Sequence, residues 1–240
     1  MHTKLPLVPV AALAACASTA PHGHAHGHAH GHAHGHDHGH AHHAHPEGMQ
    51  HDFSDAERWA REFDAPERDA WQQPDRAVAA LALRPGDTVV DLGVGTGYFV
   101  PRLAAAVGAE GRVIGLDVEP NMVAYVKARA QQAGLTRFDA RVIAADDPQL
   151  AEASADVILV VDTWHHLGGR AAYAEKLARA LRPGGRVVVV DFKLESERGP
   201  PPAHRLAAEA VIAELATAGL EGEVAEVGLP DQYVVIARRP

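Results

Sequence analysis

The sequence predicts a doubly wound α/β fold, a mostly parallel sheet with helices on both faces, and three observations carry that expectation. Short apolar runs alternate with helical stretches from residue 75 to the C-terminus, the pattern of repeated strand and helix units. The first run, Val89-Val90-Asp91-Leu92, passes straight into Gly93-Val94-Gly95-Thr96-Gly97 and then a helix. A buried strand, a glycine turn and a helix N-terminus in that order place a ligand loop at the carboxyl end of the sheet. Finally, 47% hydrophobic residues among 240 suffice for the core of one domain of ordinary size.

Taken in order, residues 1–16 hold Lys4, an apolar segment from Leu5 to Ala15, and Cys16, the one cysteine. This resembles a bacterial lipoprotein signal, whose cysteine is lipidated and heads the mature chain. Pro6 and Pro9 make the segment atypical, and an ordinary apolar start with a chance cysteine is the plain alternative. A single cysteine excludes a disulfide within the chain and a thiolate metal site.

Residues 17–52 read as a linker that cannot build a core. Between His22 and His45 lie thirteen of the 18 histidines: His22, His24, His26, His28, His30, His32, His34, His36, His38, His40, His42, His43 and His45. Their imidazoles offer Zn, Ni or Cu many interchangeable ligand pairs but no fixed geometry, so any metal there is labile and not catalytic. A histidine-rich tether, reaching about 30 to 35 Å as a coil, is the simpler alternative.

Residues 53–84 are expected to be helical. Ser54-Asp55-Ala56-Glu57 has the form of a capping box opening a helix through Phe63, with Trp59 and Phe63 on one face. A second short helix starts at Pro66, and Trp71-Gln72-Gln73-Pro74 leads to a third over Asp75 to Leu83. The domain over 85–240 then has strands near Thr88 to Leu92, Arg112 to Asp117, Phe138 to Ala144, Ala155 to Asp162, Arg186 to Asp191 and Gln232 to Arg238, with a weaker one near Gly222 to Val227. Helices fall at Tyr98 to Val107, Asn121 to Ala133, Ala171 to Leu181 and Leu206 to Ala218. Gly184-Gly185 requires only a turn.

The glycine spacing discriminates between ligands. Asp91 stands two residues before Gly93, where a carboxylate would repel a dinucleotide pyrophosphate. S-adenosylmethionine has no phosphate and carries an ammonium and a sulfonium, so an acid there favours it. The formal charge of -9 disfavours nucleic acid as a partner, and no apolar run reaches the roughly 18 residues of a bilayer span.

Four blocks, VVDLGVGTG, VIGLDVEPNMV, ADVILVVDTWHHL and LRPGGRVVVVDF, follow one another in order. With them, residues 75–240 resemble the class I S-adenosylmethionine-dependent methyltransferases, nearest to the small-molecule, type 11-like branch that includes the quinone-biosynthesis C-methyltransferases. Arsenite methyltransferases, which use several cysteines, are an unlikely match. The resemblance implies a Rossmann-like sheet whose last two strands form a reversed hairpin, and N-terminal helices that cover the cofactor. It implies cofactor contacts from Asp91, Gly93, Gly95 and Gly97, ribose binding by Asp117, adenine flanked by Val118 and Met122, and Asp162 at the methionine end. Many relatives place an aspartate right after the third strand for the adenine amino group; Ala144-Ala145 occupies that place here, leaving Asp146 as the choice, with a solvated turn acid as its alternative.

His165 or His166 is expected to act as base or to orient the nucleophile, unless both only hold the loop. Trp59, Phe63 and Trp71 are lid residues for the substrate pocket, or simple packing. Lys193, His204 and Arg205, in a loop stiffened by Pro200-Pro201-Pro202, are substrate contacts or ordinary solvent-facing charges. The implied reaction is attack by an O, N, S or C nucleophile of a small molecule on the sulfonium methyl. The alternative is a catalytically silent, lipid-anchored metal-buffering protein on the same fold. A lipidated Cys16 predicts anchoring to the membrane of the bacterial cell envelope, whereas a start at Met49 predicts a cytoplasmic domain lacking signal and histidine tract.

Overall fold

The computed structural model describes residues 54–240 of the chain. Seven strands form one sheet: β1 (Thr88–Leu92), β2 (Arg112–Asp117), β3 (Phe138–Val142), β4 (Ala155–Val161), β5 (Leu181–Phe192), β6 (Glu221–Val224) and β7 (Gln232–Arg238). Their spatial order is β3-β2-β1-β4-β5-β7-β6. The first five are parallel, while β7 runs antiparallel to both β5 and β6, giving the expected doubly wound sheet with a reversed edge hairpin. The order turns at the β1–β4 pair, whose carboxyl ends are the place where open sheets of this kind carry their ligand loops.

The helices are α1 (Ala56–Phe63), α2 (Arg68–Gln72), α3 (Pro74–Ala80), α4 (Val100–Val107), α5 (Pro120–Gln132), α6 (Arg170–Ala180) and α7 (Ala208–Ala216). Among the described residues, no helix is long and apolar enough to cross a membrane. Alternate residues of the central strands feed two cores. Val90, Ile158, Val160, Val187 and Val189 pack with Leu177 of α6 and Leu215 of α7. Val89, Val157, Leu159, Val188 and Val190 pack with Leu81 and with Leu103 of α4. Burial on both faces is why these strands are nearly continuous in valine, isoleucine and leucine.

Three local expectations are corrected. The cap of α1 is Asp55, whose carboxylate accepts from the Arg58 N–H at 2.9 Å, rather than Ser54. The third helix ends at Ala80 instead of Leu83, since the next residues turn through Ala82 at φ +48°. The fifth strand begins at Leu181, five residues before its expected start. Pairing of Ala155 with Leu181 and of Val157 with Arg186 accommodates Arg182-Pro183-Gly184-Gly185 as an irregularity within the ladder. A side chain at Gly185 would come within 2.9 Å of the Arg182 carbonyl oxygen and 3.0 Å of that of Asp156, so glycine is required for the approach.

Gly97 shows the same constraint at the glycine loop. It has φ +82°, and a Cβ there would lie inside contact distance of the Val126 side chain on α5. We expect Gly97→Ala to lower unfolding free energy by about 2 to 4 kcal/mol in urea titrations, from left-handed strain and overpacking together.

Candidate active site

The loop after β1 is built from backbone. Gly93 and Val94 donate to the Leu116 carbonyl at 2.8 and 3.0 Å, which anchors the loop to β2. Gly93 and Gly95 have φ of +79° and +50°. A Cβ on Gly93 would collide with the Thr163 side chain, so the glycine lets the loops after β1 and β4 touch. Asp117, at the end of β2, accepts from the Gly95 N–H at 2.9 Å and the Glu119 N–H at 3.0 Å. Burial raises its pKa above the usual carboxylate value, and those backbone donors oppose the rise.

Two further carboxylates stand at the carboxyl ends of the neighbouring strands. Asp91 on β1 is 3% exposed, and burial, helped by the charge of Asp117 and opposed by that of Arg68, pushes its pKa up to about 7. Asp162, just after β4, has φ +50°. Burial, then the charge of Asp191, raise its pKa to about 7 against Arg68, His165 and the hydrogen bond from Gln232. Gln232 at the start of β7 donates to Asp162 Oδ1 at 2.5 Å and accepts from Gln72 Nε2. Gln72 in turn accepts from Arg68 Nε and Nη2 at 3.2 and 3.1 Å.

Arg68 is the hub of the N-terminal helices. Its Nη1 donates to the Phe63 carbonyl at 2.8 Å, its Nη2 lies 3.9 Å from Asp162 Oδ2, and its guanidinium sits 4.1 Å from the centre of the Tyr98 ring. Tyr98 donates through its hydroxyl to Asp69, and Arg102 of α4 pairs with Asp69 at 3.1 Å and Asp75 at 2.9 Å. The helices α2 and α3 are therefore fixed to the helix that opens from the glycine loop.

At the other side of Asp162, the chain makes a tight turn over Trp164–His166. Trp164 is buried, its Nε1 donating to Glu214 of α7 at 2.8 Å. His165 Nδ1 lies 2.9 Å from both carboxylate oxygens of Asp191 on β5, with side-chain exposures of only 4% and 2%. The Phe192 N–H fixes the same carboxylate at 2.8 Å. The His166 ring stands 4.2 Å from that of His165 on the exposed side of the turn.

The aromatic residues expected over the site divide into two groups. Trp59 and Phe63, ring centres 5.1 Å apart, pack with buried Met122 on α5. Trp71 instead faces Phe192 at 5.7 Å, at the end of β5. Val118 is 42% exposed beside Asp117. Asp146 is exposed in the turn after β3, where its carbonyl accepts from Lys176 Nζ at 2.5 Å. Lys193 gives its ammonium to the Leu229 and Pro230 carbonyls at 2.8 and 3.1 Å. The Arg205 guanidinium binds the carbonyls of Pro200, Leu194, Ser196 and Arg198. His204 is exposed in the short turn at Pro202–His204.

Sequence reasoning missed Arg68, Gln72, Asp191 and Gln232. Asp191 had a signal, as a carboxylate ending the strand next to the one that leads to His165; the other three acquire their places only through the fold. Cys16, Met49 and the histidines from His22 to His45 lie outside the described residues. Among the described residues, no cluster of three or more His, Cys, Asp or Glu side chains is placed to hold a metal.

The raised Asp162 pKa has a measurable consequence. Between pH 4 and 7 the unfolded chain ionises this acid while the folded protein retains the proton, so stability falls as pH rises through that window and levels off above it. Asn tolerates the left-handed backbone of position 162 and preserves the acceptor for Gln232. Asp162→Asn is expected to flatten the decline and to raise stability at pH 8 by about 1 to 3 kcal/mol, read by urea unfolding across pH.

Comparison with known proteins meets this geometry from the other side. A structure described as a SAM-dependent methyltransferase from Aquifex aeolicus superimposes with a TM-score of 0.73 at 28% identity, over 80% of this chain and 100% of its own. The 27-O-demethylrifamycin SV methyltransferase of Amycolatopsis mediterranei is 35% identical over 124 residues, 50% of this chain and 44% of the relative. The arsenite methyltransferase of Halobacterium salinarum is 31% identical over 116 residues, 48% of this chain and 29% of the relative, so an arsenite enzyme does stand among the relatives of a chain with one cysteine. Both matches span less than half the length of these curated relatives. Residues 83–221, more than half of the chain, match the methyltransferase domain family, and with its glycine loop, strand-end acids and reversed hairpin the chain belongs to that family.

Proposed function

We propose that this chain transfers the methyl group of S-adenosylmethionine to a hydroxyl of a small molecule, with His165 as general base. The observation that carries this reading is the buried pair of His165 Nδ1 and the Asp191 carboxylate. Asp191 holds the tautomer with hydrogen on Nδ1, leaving Nε2 as the basic nitrogen, and stabilises the imidazolium when Nε2 takes the acceptor proton. When bound, the cofactor supplies an activated methyl group on sulfonium. His165 Nε2 would take the proton that the acceptor hydroxyl gives up on methylation, and the Asp191 carboxylate would hold the resulting imidazolium in place. A base belongs with a nucleophile that must lose its proton to attack, and a neutral hydroxyl is such an acceptor.

In this reading Gly93, Gly95 and Gly97 admit the cofactor close to the backbone, and Asp91 and Asp162 serve its cationic methionine end. Asp117 accepts the ribose hydroxyls, while Val118 and Met122 flank the adenine and Asp146 is its candidate polar contact. Trp71 and Phe192 offer an apolar wall for the acceptor. Lys193 and Arg205 act chiefly by closing the loop after β5, since their donors face carbonyl oxygens of that loop and of Leu229 and Pro230.

Turnover is read as S-adenosylhomocysteine release over a panel of hydroxylated small molecules. Asp191→Asn should lower kcat by about 100- to 10,000-fold while cofactor affinity stays near wild type, and His165→Gln should lower it at least as far. A His165→Gln enzyme with unchanged turnover would rule out the base. Asp117→Ala should weaken cofactor binding tenfold or more, through loss of charge-assisted bonds of about 1.5 to 3 kcal/mol each. Wild-type affinity by calorimetry in the folded variant rejects the ribose assignment.

A further inference from the structure

Tyr233 carries a hydroxyl for which the fold supplies no partner. The residue is 9% exposed on β7, and among the described residues its hydroxyl and that of Tyr173 are the buried side-chain polar atoms without a hydrogen bond. Leaving a buried hydroxyl unpaired is costly, so such a group calls for a use. Tyr173 lies on α6 in the field of Asp146 and Asp147. Tyr233 instead stands directly opposite Asp191 in the β5–β7 ladder. Residues paired in this way point to the same face of the sheet, so the phenol stands beside the carboxylate that holds His165. Its longer side chain carries the hydroxyl past that carboxylate, with which it makes no hydrogen bond.

The surroundings of this hydroxyl define what it can bind. Burial, then the charges of Asp191, Glu214, Asp162 and Glu209, push its pKa above the ordinary phenol value, so it is a neutral donor wherever His165 is a base. Four carboxylates repel an anion, and Lys193 and Arg205 of the adjoining loop are taken up by backbone carbonyls. The ligand that matches a donor in such a place is an uncharged oxygen. We propose that Tyr233 is an acceptor-binding residue, donating its hydroxyl hydrogen to a second, uncharged oxygen, a carbonyl or a hydroxyl, on the small molecule whose hydroxyl is methylated beside His165. This inference rests on the hydroxyl reading above and deepens it, because it names the acceptor class: dioxygenated molecules with no negative charge near the reacting hydroxyl. Access comes by a shift of the half-buried segment entering α7, whose Leu206 and Ala208 pack on the cluster that contains Tyr233.

The test uses two pairs of acceptors that differ in a second oxygen, catechol with phenol and 2-hydroxycyclohexanone with cyclohexanol, and reads S-adenosylhomocysteine release by the full chain. The wild type should show a kcat/KM about 5- to 100-fold higher for the dioxygenated member of each pair. Salicylate, whose second group is a carboxylate, should lack that advantage over phenol. Tyr233→Phe keeps the ring and its packing, and should lower the ratio within each pair by the same factor while the melting temperature stays at or above that of the wild type. Equal kcat/KM within both pairs in the wild type overturns the proposal, as does a Tyr233→Phe protein that retains the preference. A variant that loses stability and turns over both members of a pair more slowly by the same factor overturns it too, because the hydroxyl would then be structural. If the wild type binds S-adenosylmethionine by calorimetry yet methylates none of these acceptors, it is the hydroxyl reading itself that fails, and the inference falls with it.

Discussion

The structure around the strand ends depends on compensating buried negative charge. Buried Asp91 and Asp191, and half-buried Asp162 just after β4, stand at the ends of three adjacent parallel strands, where the sheet itself offers carboxylates few donors. Taking such groups from water is costly unless each finds a cation, a hydrogen bond or a proton. Each finds a different remedy here. Asp191 has His165 and the Phe192 N–H, Asp162 has Gln232 and the more distant Arg68, and Asp91 has the field of Arg68. Helix α2 is thus part of the electrostatic solution, and the internal compensation of these acids is incomplete.

The fold was legible because its signals are local or periodic. β1, β2 and β7 run over the stretches that their apolar pattern and flanking turns mark out, and the double-sided burial of β4 and β5 is written in their valines. Errors fell where two local signals compete. Ser54 and Asp55 are both good caps, and only the geometry selects Asp55. The two glycines before the fifth strand read as a turn, yet they also permit a close approach of strands that carries the ladder back to Leu181.

The site was legible in half. Glycines and acids at strand ends follow the topology rule for ligand loops, so Asp91, Asp117, Asp162 and His165 could be named as candidates from the order of the motifs and the resemblance they carry. Arg68 could not, because its helix has five residues and nothing in the local pattern aims its side chain across the sheet end. Gln72 and Gln232 are 160 residues apart and look like surface amides until the fold buries them together. Lys193 and Arg205 mislead in the opposite sense: charges in a glycine- and proline-rich loop suggest solvent or substrate, but here Arg205 satisfies the loop's own carbonyls and Lys193 those of Leu229 and Pro230.

The buried amides also impose direction. Arg68 has only donors and an ionised Asp162 only acceptors, so the two glutamines between them must each present oxygen toward the arginine side and nitrogen toward the aspartate side. Neither amide can turn over without setting donor against donor or acceptor against acceptor. The pair therefore works as a polarised link whose orientation is dictated by its two ends, and the first helices of the domain are keyed to its last strand. A helical lid borrowed from another protein would have to supply not merely a similar shape but the same sense of polarity at the position of Gln72.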